Sequence, residues 1–472
     1  MTVIDRRAAI GAALSDEDVQ RLRHEARGEV IQPGDPTYDA ARKVYNGMID
    51  RSPDLVVQCV DAADVIAAVR FGREHELPLA VRGGGHNVAG SAVCDGGLVV
   101  DLSRMRSVRV DPTRRTARVD GGATWGDVDH ATHAFGLATP SGIISTTGVG
   151  GLTLGGGFGY LSRRYGLSCD NLRAADVVTA DGQLVATSAT ENPDLFWAIR
   201  GGGGNFGVVT SFEFDLHPVS MVYGGPVFYP VDQAGEVMRF YRDFIAQAPL
   251  ELSAFFGFHV APPAPFVPEA LHGAMTCAIV ACYTGPLEDA EAAVRPIREA
   301  APVALDLMGP LPYPALNSLF DALLPPGLHH YWKADFDREL SDEAIDVHLE
   351  FGPRVPNFMS LMHLYPLDGA VQQVGADATA YGHRDARFVH IIAGIDTDAA
   401  AMPGHTAWVR DYWAALHPHS AGGAYVNFLM EEGQDRVRAA YGENYGRLAA
   451  IKTTLDRSNI FRSNQNIRPA TD

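Results

Sequence analysis

Between positions 83 and 207 the chain carries four glycine clusters: Gly83-Gly84-Gly85, Gly148 to Gly151, Gly155-Gly156-Gly157 and Gly201 to Gly204. They are set between segments that read as strands. Glycine is used where the backbone takes dihedrals closed to other residues, or where it must approach another group closely. One such cluster reads as a tight turn. Four of them within about 120 residues imply a shared surface of bare backbone, able to offer N–H groups to a pyrophosphate. A Rossmann site is excluded. Gly202-x-Gly204-x-x-Gly207 has the GxGxxG spacing, but LFWAIR before it reads as a helix and VVTSFEF after it as a strand. A dinucleotide site of that type needs the reverse order. No GxxxxGK[ST] loop occurs either.

The flanking elements follow from periodicity. DLVVQCV (54–60) is a β-branched apolar run, hence a buried strand, and DAADVIAAVRFGREHE is a helix with Val65, Ile66 and Val69 on one face. LPLAVRGGG and GLVVDLS read as strands. SVRVD with TARVD, and DVVTADGQLVATS, read as hairpins, the second turning on Asp181-Gly182. TWGDVDHATHAFG and NPDLFWAIRG are helices, and GVVTSFEFDL is a strand ending at His217-Pro218. After Pro218 the texture changes to proline-rich loops and long amphipathic stretches. Residues 219–420 therefore read as a second α+β domain, and a further compact unit follows around Tyr425. At 472 residues the chain exceeds what one core serves, which agrees with two domains.

Composition narrows the partners. The formal charge of −19 repels phosphate backbones and argues against nucleic acid. Five cysteines without CxxC spacing suit a reducing compartment and give no zinc framework. Arg6-Arg7 before AAIGAAL faintly resembles a twin-arginine export signal. The short apolar run meets Ser15-Asp16-Glu17-Asp18, which reads better as a helix N-cap. No stretch approaches the ~20 apolar residues needed to span a bilayer. A cytoplasmic protein without membrane partners is the expectation, with the oligomeric state left open.

His86 follows the first glycine cluster directly. A neutral imidazole presented on a glycine loop is a competent nucleophile, and histidine is largely neutral at neutral pH. His130 and His133, spaced i, i+3 on a helix, lack a third ligand nearby and are read as structural. No metal is expected.

The ordered series LAVRGGGHNVAG, GGLVVDLSRM, GGATWGDV, TTGVGGLTLGGGFGYLSRRYGLSCDNL, DLFWAIRGGGGNFGVV and YVNF…YGENYGRLAAIK…NIFRSNQNI covers nearly the whole chain. It resembles the vanillyl-alcohol oxidase/p-cresol methylhydroxylase flavoprotein superfamily, in its berberine-bridge-enzyme-like branch. The resemblance implies an α+β fold of two domains. One is a PCMH-type FAD-binding domain built from residues 1–218 and completed by 421–472. The other is an inserted substrate domain, 219–420, with an antiparallel sheet covered by helices.

The resemblance also implies site residues. His86 matches the histidine that bonds the flavin 8α-methyl. Around it Arg82, Gly83, Gly84, Gly85, Asn87 and Gly90 fall in the cofactor-binding stretch. Thr146, Thr147, Gly148, Gly150 and Gly151 fall in the next one. Gly155, Gly156, Gly157, Gly159, Val208 and Asn427 complete the set. Many relatives add a cysteine bond to flavin C6 in a C-x-T-V-G-x-G-G segment. Here that segment begins with Ile144, so a single covalent link is expected, and Cys169 is read as buried and structural. Thr147 stands where valine permits oxygen access in relatives and leucine blocks it. It is close to valine in shape.

The family glutamate base, from a stretch like GGRMNEISES…PFPHR, aligns with Gln373, and an amide cannot accept the proton. Gln373 is left as a hydrogen-bonding partner for substrate. Tyr425-Val426-Asn427 fits the Y-x-N alternative, so Tyr425 is the expected base. His363 and Tyr365, in MHLYPL, are further candidates for the site wall. The implied activity is oxidation of an alcohol, sugar or secondary-metabolite scaffold by hydride transfer to flavin N5, with O2 reduced to hydrogen peroxide. A dehydrogenase using another acceptor, an amine oxidase and a non-catalytic flavin-binding protein are the alternatives.

Overall fold

The structure is a computed structural model describing residues 14–470; the Arg6-Arg7 pair lies outside the described residues. Ser15 caps the first described helix, Asp16–Glu25, accepting from the Asp18 N–H at 3.2 Å. A four-stranded sheet follows, built from β1 (Glu29–Ile31), β2 (Leu55–Gln58), β3 (Leu79–Arg82) and β4 (Leu98–Asp101) in the order β1-β2-β4-β3. The last three of these run parallel. Parallel strands are covered on both faces, which is why LVVQ and LVVD read as continuous apolar runs. The crossover helix Ala62–Glu74, capped by Asp61, buries Val65, Ala68 and Val69 against them.

A second sheet is antiparallel throughout. It comprises β5 (Val108–Asp111), β6 (Thr116–Asp120), β8 (Leu172–Val178), β9 (Leu184–Ser188) and β10 (Val208–Asp215), ordered β5-β6-β10-β8-β9. The short strands β7 (Leu137–Ala138) and β11 (His217–Pro218) pair beside it. The C-terminal segment returns to this layer. Tyr441, Leu448 and Ile467 share one apolar core with Trp125, Phe196 and Phe212.

Residues 221–396 form an antiparallel sheet of β12 (Met221–Pro230), β13 (Leu252–Val260), β14 (Met275–Tyr283), β15 (Leu305–Asp306), β16 (Gly309–Pro312), β17 (His329–Asp337), β18 (Leu361–Pro366) and β19 (Phe388–Asp396). Its order is β15-β12-β14-β13-β18-β19-β17, with β16 also on β12. Side chains alternate across a strand. Met362 and Leu364 therefore turn to one face, where helices Ala234–Ile245, Leu287–Arg298, Asp342–Phe351 and Met402–Leu416 cover them. Their neighbours on β18 turn to the opposite face, toward the glycine loops. The chain is thus an α+β protein with one helix-covered sheet whose bare face roofs a cavity. Among the described residues no helix is long and apolar enough to cross a membrane.

Candidate active site

The loop carrying His86 springs from the ends of β3 and β4. Arg82 and Asp101 are register partners there. Arg82 Nη2 donates to Asp101 Oδ2 at 2.6 Å, Nε donates to Oδ1 at 3.1 Å, and Nη1 reaches the carbonyls of Ala41 and Lys43. The pair is buried and fully hydrogen-bonded, the condition under which buried charge is tolerated. Arg82 thus anchors the loop, and its guanidinium is turned away from the cavity.

Next come glycines whose bareness has a steric cause. A Cβ on Gly84 would lie 2.5 Å from the Gly148 nitrogen, and one on Gly148 would lie 2.4 Å from the Gly84 nitrogen. The two turns touch backbone to backbone. Gly83, Gly84, Gly85, Asn87, Thr147, Gly148, Gly150 and Gly151 line the cavity, with Gly203, Gly204 and Gly207 joining from a third loop. Gly148 is also the N-cap of the helix Val149–Leu154 and supplies no side-chain cap. The first turn of a helix leaves N–H groups without intrahelical partners.

His86 lines this same cavity. Its ring stacks on Tyr45, with centroids 3.7 Å apart and planes at 19°, and the Tyr45 N–H donates to the Gly85 carbonyl at 3.0 Å. Burial lowers the imidazole pKa to about 4, opposed only by a backbone hydrogen bond. Its Nε2 is buried without a partner. The ring is therefore neutral, fixed in plane, and presents an uncommitted nitrogen. Bare glycine backbone together with that orphaned nitrogen fits a flavin dinucleotide, so His86 and these loops are the groups that would hold it.

At the cavity's other end, Tyr425 is buried and its phenol oxygen accepts from the Gly157 N–H at 2.9 Å and from Asn427 Nδ2 at 2.8 Å. Burial pushes the phenol pKa up, and these two donors pull it back. The Gly155–Gly157 turn supplies the N–H of this contact through Gly157. Gly156 and Gly157 have φ of +120° and +82°, and a Cβ on Gly155 would sit 2.2 Å from Asn427 Oδ1. None of these three glycines lines the cavity; they position the phenol. Tyr425 lies not on a strand but just before a single turn of helix, Val426–Phe428.

The structure relocates several expected residues. Gln373 ends the short helix Ala370–Gln373, whose one inward residue is Val371, and its side chain is exposed outside the cavity. It is not part of the site. Val208 packs into the core beneath the crossover helix, and strand alternation gives Val209 to the cavity instead. Gly90 packs against Ile49, and Gly159 against the Ser141 carbonyl. Thr146 is exposed and borders a separate cleft behind the His86 loop. Cys169 is fully buried and does not reach the cavity, whereas Ile144 lines it. His130 and His133 share their helix with no grouped third ligand among the described residues.

Residues missed in the sequence also line the cavity, among them Phe158, Trp332, Tyr441, Asn464 and Gln465. The last two stand in the tail SNQNI, whose polar run was the available signal. Asn464 Nδ2 donates to the Gly204 carbonyl at 3.0 Å, tying the tail to the third glycine loop.

Family comparison selects two of the segments that build the site. A model described as an FAD binding domain matches residues 53–188, and one described as berberine and berberine like matches residues 424–468. The enzyme is an FAD-linked oxidoreductase. It is 33% identical over 447 residues to an FAD-linked oxidoreductase of Dictyostelium discoideum, covering 94% of this chain and 95% of that one. It is 31% identical over 461 residues to (R)-6-hydroxynicotine oxidase of Paenarthrobacter nicotinovorans, covering 94% and 97%. The chain belongs to the berberine-bridge-enzyme-like family of FAD-linked oxidoreductases. Among solved structures, 6-hydroxy-D-nicotine oxidase from Arthrobacter nicotinovorans superposes with a TM-score of 0.84 at 28% identity, covering 94% of this chain and 98% of that one. Xylooligosaccharide oxidase from Myceliophthora thermophila shares the fold, with a TM-score of 0.83 at 23% identity and coverage of 97% and 99%.

Proposed function

We propose that this enzyme is an alcohol oxidase whose FAD is held by one covalent bond, through His86. The observation that carries the reading is the neutral His86 ring, stacked on Tyr45 with a buried, unpartnered Nε2 in the cavity wall. Ile144 at the position where relatives carry cysteine supports a single tether. The same reading divides the chain into an FAD domain of 1–218 plus 421–472 and a substrate domain of 219–420. Five free, buried cysteines support a reducing, cytoplasmic setting.

When bound, the flavin would supply a two-electron acceptor for the hydride, with O2 as the final oxidant. The residues do the rest. Tyr425 takes the proton from the substrate hydroxyl as the carbon beside it loses a hydride, leaving a carbonyl product. Gly157 and Asn427 stabilise the phenolate form by donating to its oxygen. The overall conversion is alcohol plus O2 to carbonyl plus hydrogen peroxide. Thr147, small and β-branched in the cavity wall, supports access for oxygen.

The direct test is mass spectrometry of the denatured holoenzyme. A mass equal to protein plus one FAD is the expected result; protein mass alone, with FAD free in the supernatant, defeats the tether. Anaerobic reduction followed by mixing with aerated buffer tests the acceptor. Sluggish reoxidation would make the enzyme a dehydrogenase.

A further inference from the structure

The roof of the cavity is one face of adjoining strands. Alternation places Leu361, His363 and Tyr365 of β18 and Ile391, Ala393 and Ile395 of β19 on it. Phe320, Leu324, Trp332 and Phe428 extend that apolar wall. Among the described residues that line the cavity there is no Asp, Glu, Lys or Arg. A charged substrate would lose its water and meet no countercharge, an unfavourable exchange. A sugar fares little better. Each of its hydroxyls needs a partner, and the roof supplies few polar groups. Rings on several sides suit a flat aromatic body instead.

Two polar side chains of β18 reach the roof, Tyr365 and His363, and they form a row with His259 of β13, which stands behind the cavity wall. Trp332 Nε1 is a further buried donor without a partner. Tyr365 Oη is 2.6 Å from His363 Nδ1, and His363 Nε2 is 3.1 Å from His259 Nε2. Two facing ring nitrogens hydrogen-bond only when one of them carries the proton. If His259 donates, His363 must carry its own proton on Nδ1 and donate to Tyr365. The Tyr365 O–H is then left pointing into the cavity. Burial keeps both imidazoles neutral, so the row adds no charge. Tyr365 and Tyr425 flank the same ring, Phe158, with centroids 5.4 and 4.7 Å from it.

We propose that the substrate is an uncharged, mainly aromatic alcohol whose hydroxyl oxygen accepts from Tyr365 while its proton passes to Tyr425. The assignment rests on the alcohol-oxidase reading above and names its substrate class. Tyr365 is then a catalytic residue, and His363 and His259 are positioning residues that set the direction of its O–H.

The test mixes the oxidised holoenzyme with defined probes by anaerobic stopped-flow and reads the change in flavin absorbance on binding, before any reduction. The probes are cinnamyl alcohol, the anionic 4-(hydroxymethyl)benzoate, the cationic benzylamine, the polyol cellobiose and the hydrocarbon β-methylstyrene. Cinnamyl alcohol should bind at least about 100-fold more tightly than the two charged probes and cellobiose. Tyr365→Phe should weaken cinnamyl alcohol about tenfold and leave β-methylstyrene unchanged, a split that mere loss of packing does not produce. His259→Phe should reproduce the same split, while His259→Gln, which keeps a donor, should restore part of the affinity.

Charged probes or cellobiose binding as tightly as cinnamyl alcohol, or no binding of any aromatic probe, would overturn the substrate class. Equal loss of alcohol and hydrocarbon in Tyr365→Phe would overturn the role of Tyr365. Selective binding of the neutral aromatics with no bleaching of the flavin by cinnamyl alcohol would count against the oxidase reading, while the selectivity stands.

Discussion

Asn427 Nδ2 donates to the phenol oxygen of Tyr425 at 2.8 Å across one intervening residue, and the Gly157 N–H donates to the same oxygen from another loop. Two donors on one phenol stabilise its anion and leave its own proton free to depart. Burial, the larger influence, opposes them by pushing the pKa up, and Cys169 adds to it. The short spacing works because the chain turns as a single helical turn at Val426–Phe428, bringing residues two apart onto one side.

Removing the phenol should therefore slow flavin reduction by about 10²- to 10⁴-fold, the range typical of a general base. Tyr425→Phe, followed by anaerobic stopped-flow with an alcohol substrate, measures it. Asn427→Ala should cost about 10- to 100-fold, because a hydrogen bond to a charged oxygen is worth about 1.5–3 kcal/mol. The wild-type rate should climb with pH, since the raised pKa leaves the phenol protonated at neutrality. Unchanged reduction in Tyr425→Phe would leave the base unassigned.

The proposed tether predicts a different loss. With Ile144 in the cavity wall and Cys169 buried away from it, no cysteine lines the cavity to stand in for His86. His86→Ala should fold and bind FAD through its glycine loops, yet show only apoprotein mass after denaturation. FAD should then wash out on gel filtration in mild denaturant, as the 450 nm absorbance would report. A retained protein–FAD adduct in this variant would show that another residue makes the bond.

The contact between Gly84 and Gly148 leaves no room for a methyl group. Gly84→Ala forces the two loops apart, and overpacking of this kind costs about 1–3 kcal/mol. Both Tm and the ratio of FAD to protein should fall. Gly404→Ala is the control, because nothing lies within 4 Å of a Cβ there.

Acid should destabilise the fold through histidines that are buried in the neutral form. His217 and His259 are lowered to about 4 and His330 to about 3, each by burial. Between pH 6.5 and 4 the unfolded chain binds protons that the folded chain refuses, so stability is present above about 6.5 and is lost as pH falls. Tm measured across that window should drop steadily while changing little from pH 6.5 to 8. A flat Tm down to pH 4 would contradict the burial of these rings.

Much of the flavin side was legible in the chain because it is local. Strand, glycine turn and candidate tether histidine are consecutive at LAVRGGGH, and bare backbone announces itself as glycine. Even there the roles shifted. Arg82 serves Asp101, and Gly155–Gly157 serve Tyr425, because a loop shows that backbone is bare without showing what approaches it. Val208 gave way to Val209 because a strand's facing depends on which sheet face is covered.

The substrate side was hidden for the opposite reason. Gln373 aligned in sequence with a catalytic position, yet it sits on a turn of helix facing solvent. His259 and His363 are 104 residues apart and meet only because β13 pairs with β18. From the amino-acid sequence alone came the α+β class, the proposed flavin cradle, the candidate tether His86 and the candidate Tyr425–Asn427 pair, all carried by neighbours along the chain. Tertiary structure alone decided the uncharged roof, the Tyr365–His363–His259 row and the exclusion of Gln373. Strand pairing and sheet facing, which determine what shares a wall, are settled by contacts between distant residues.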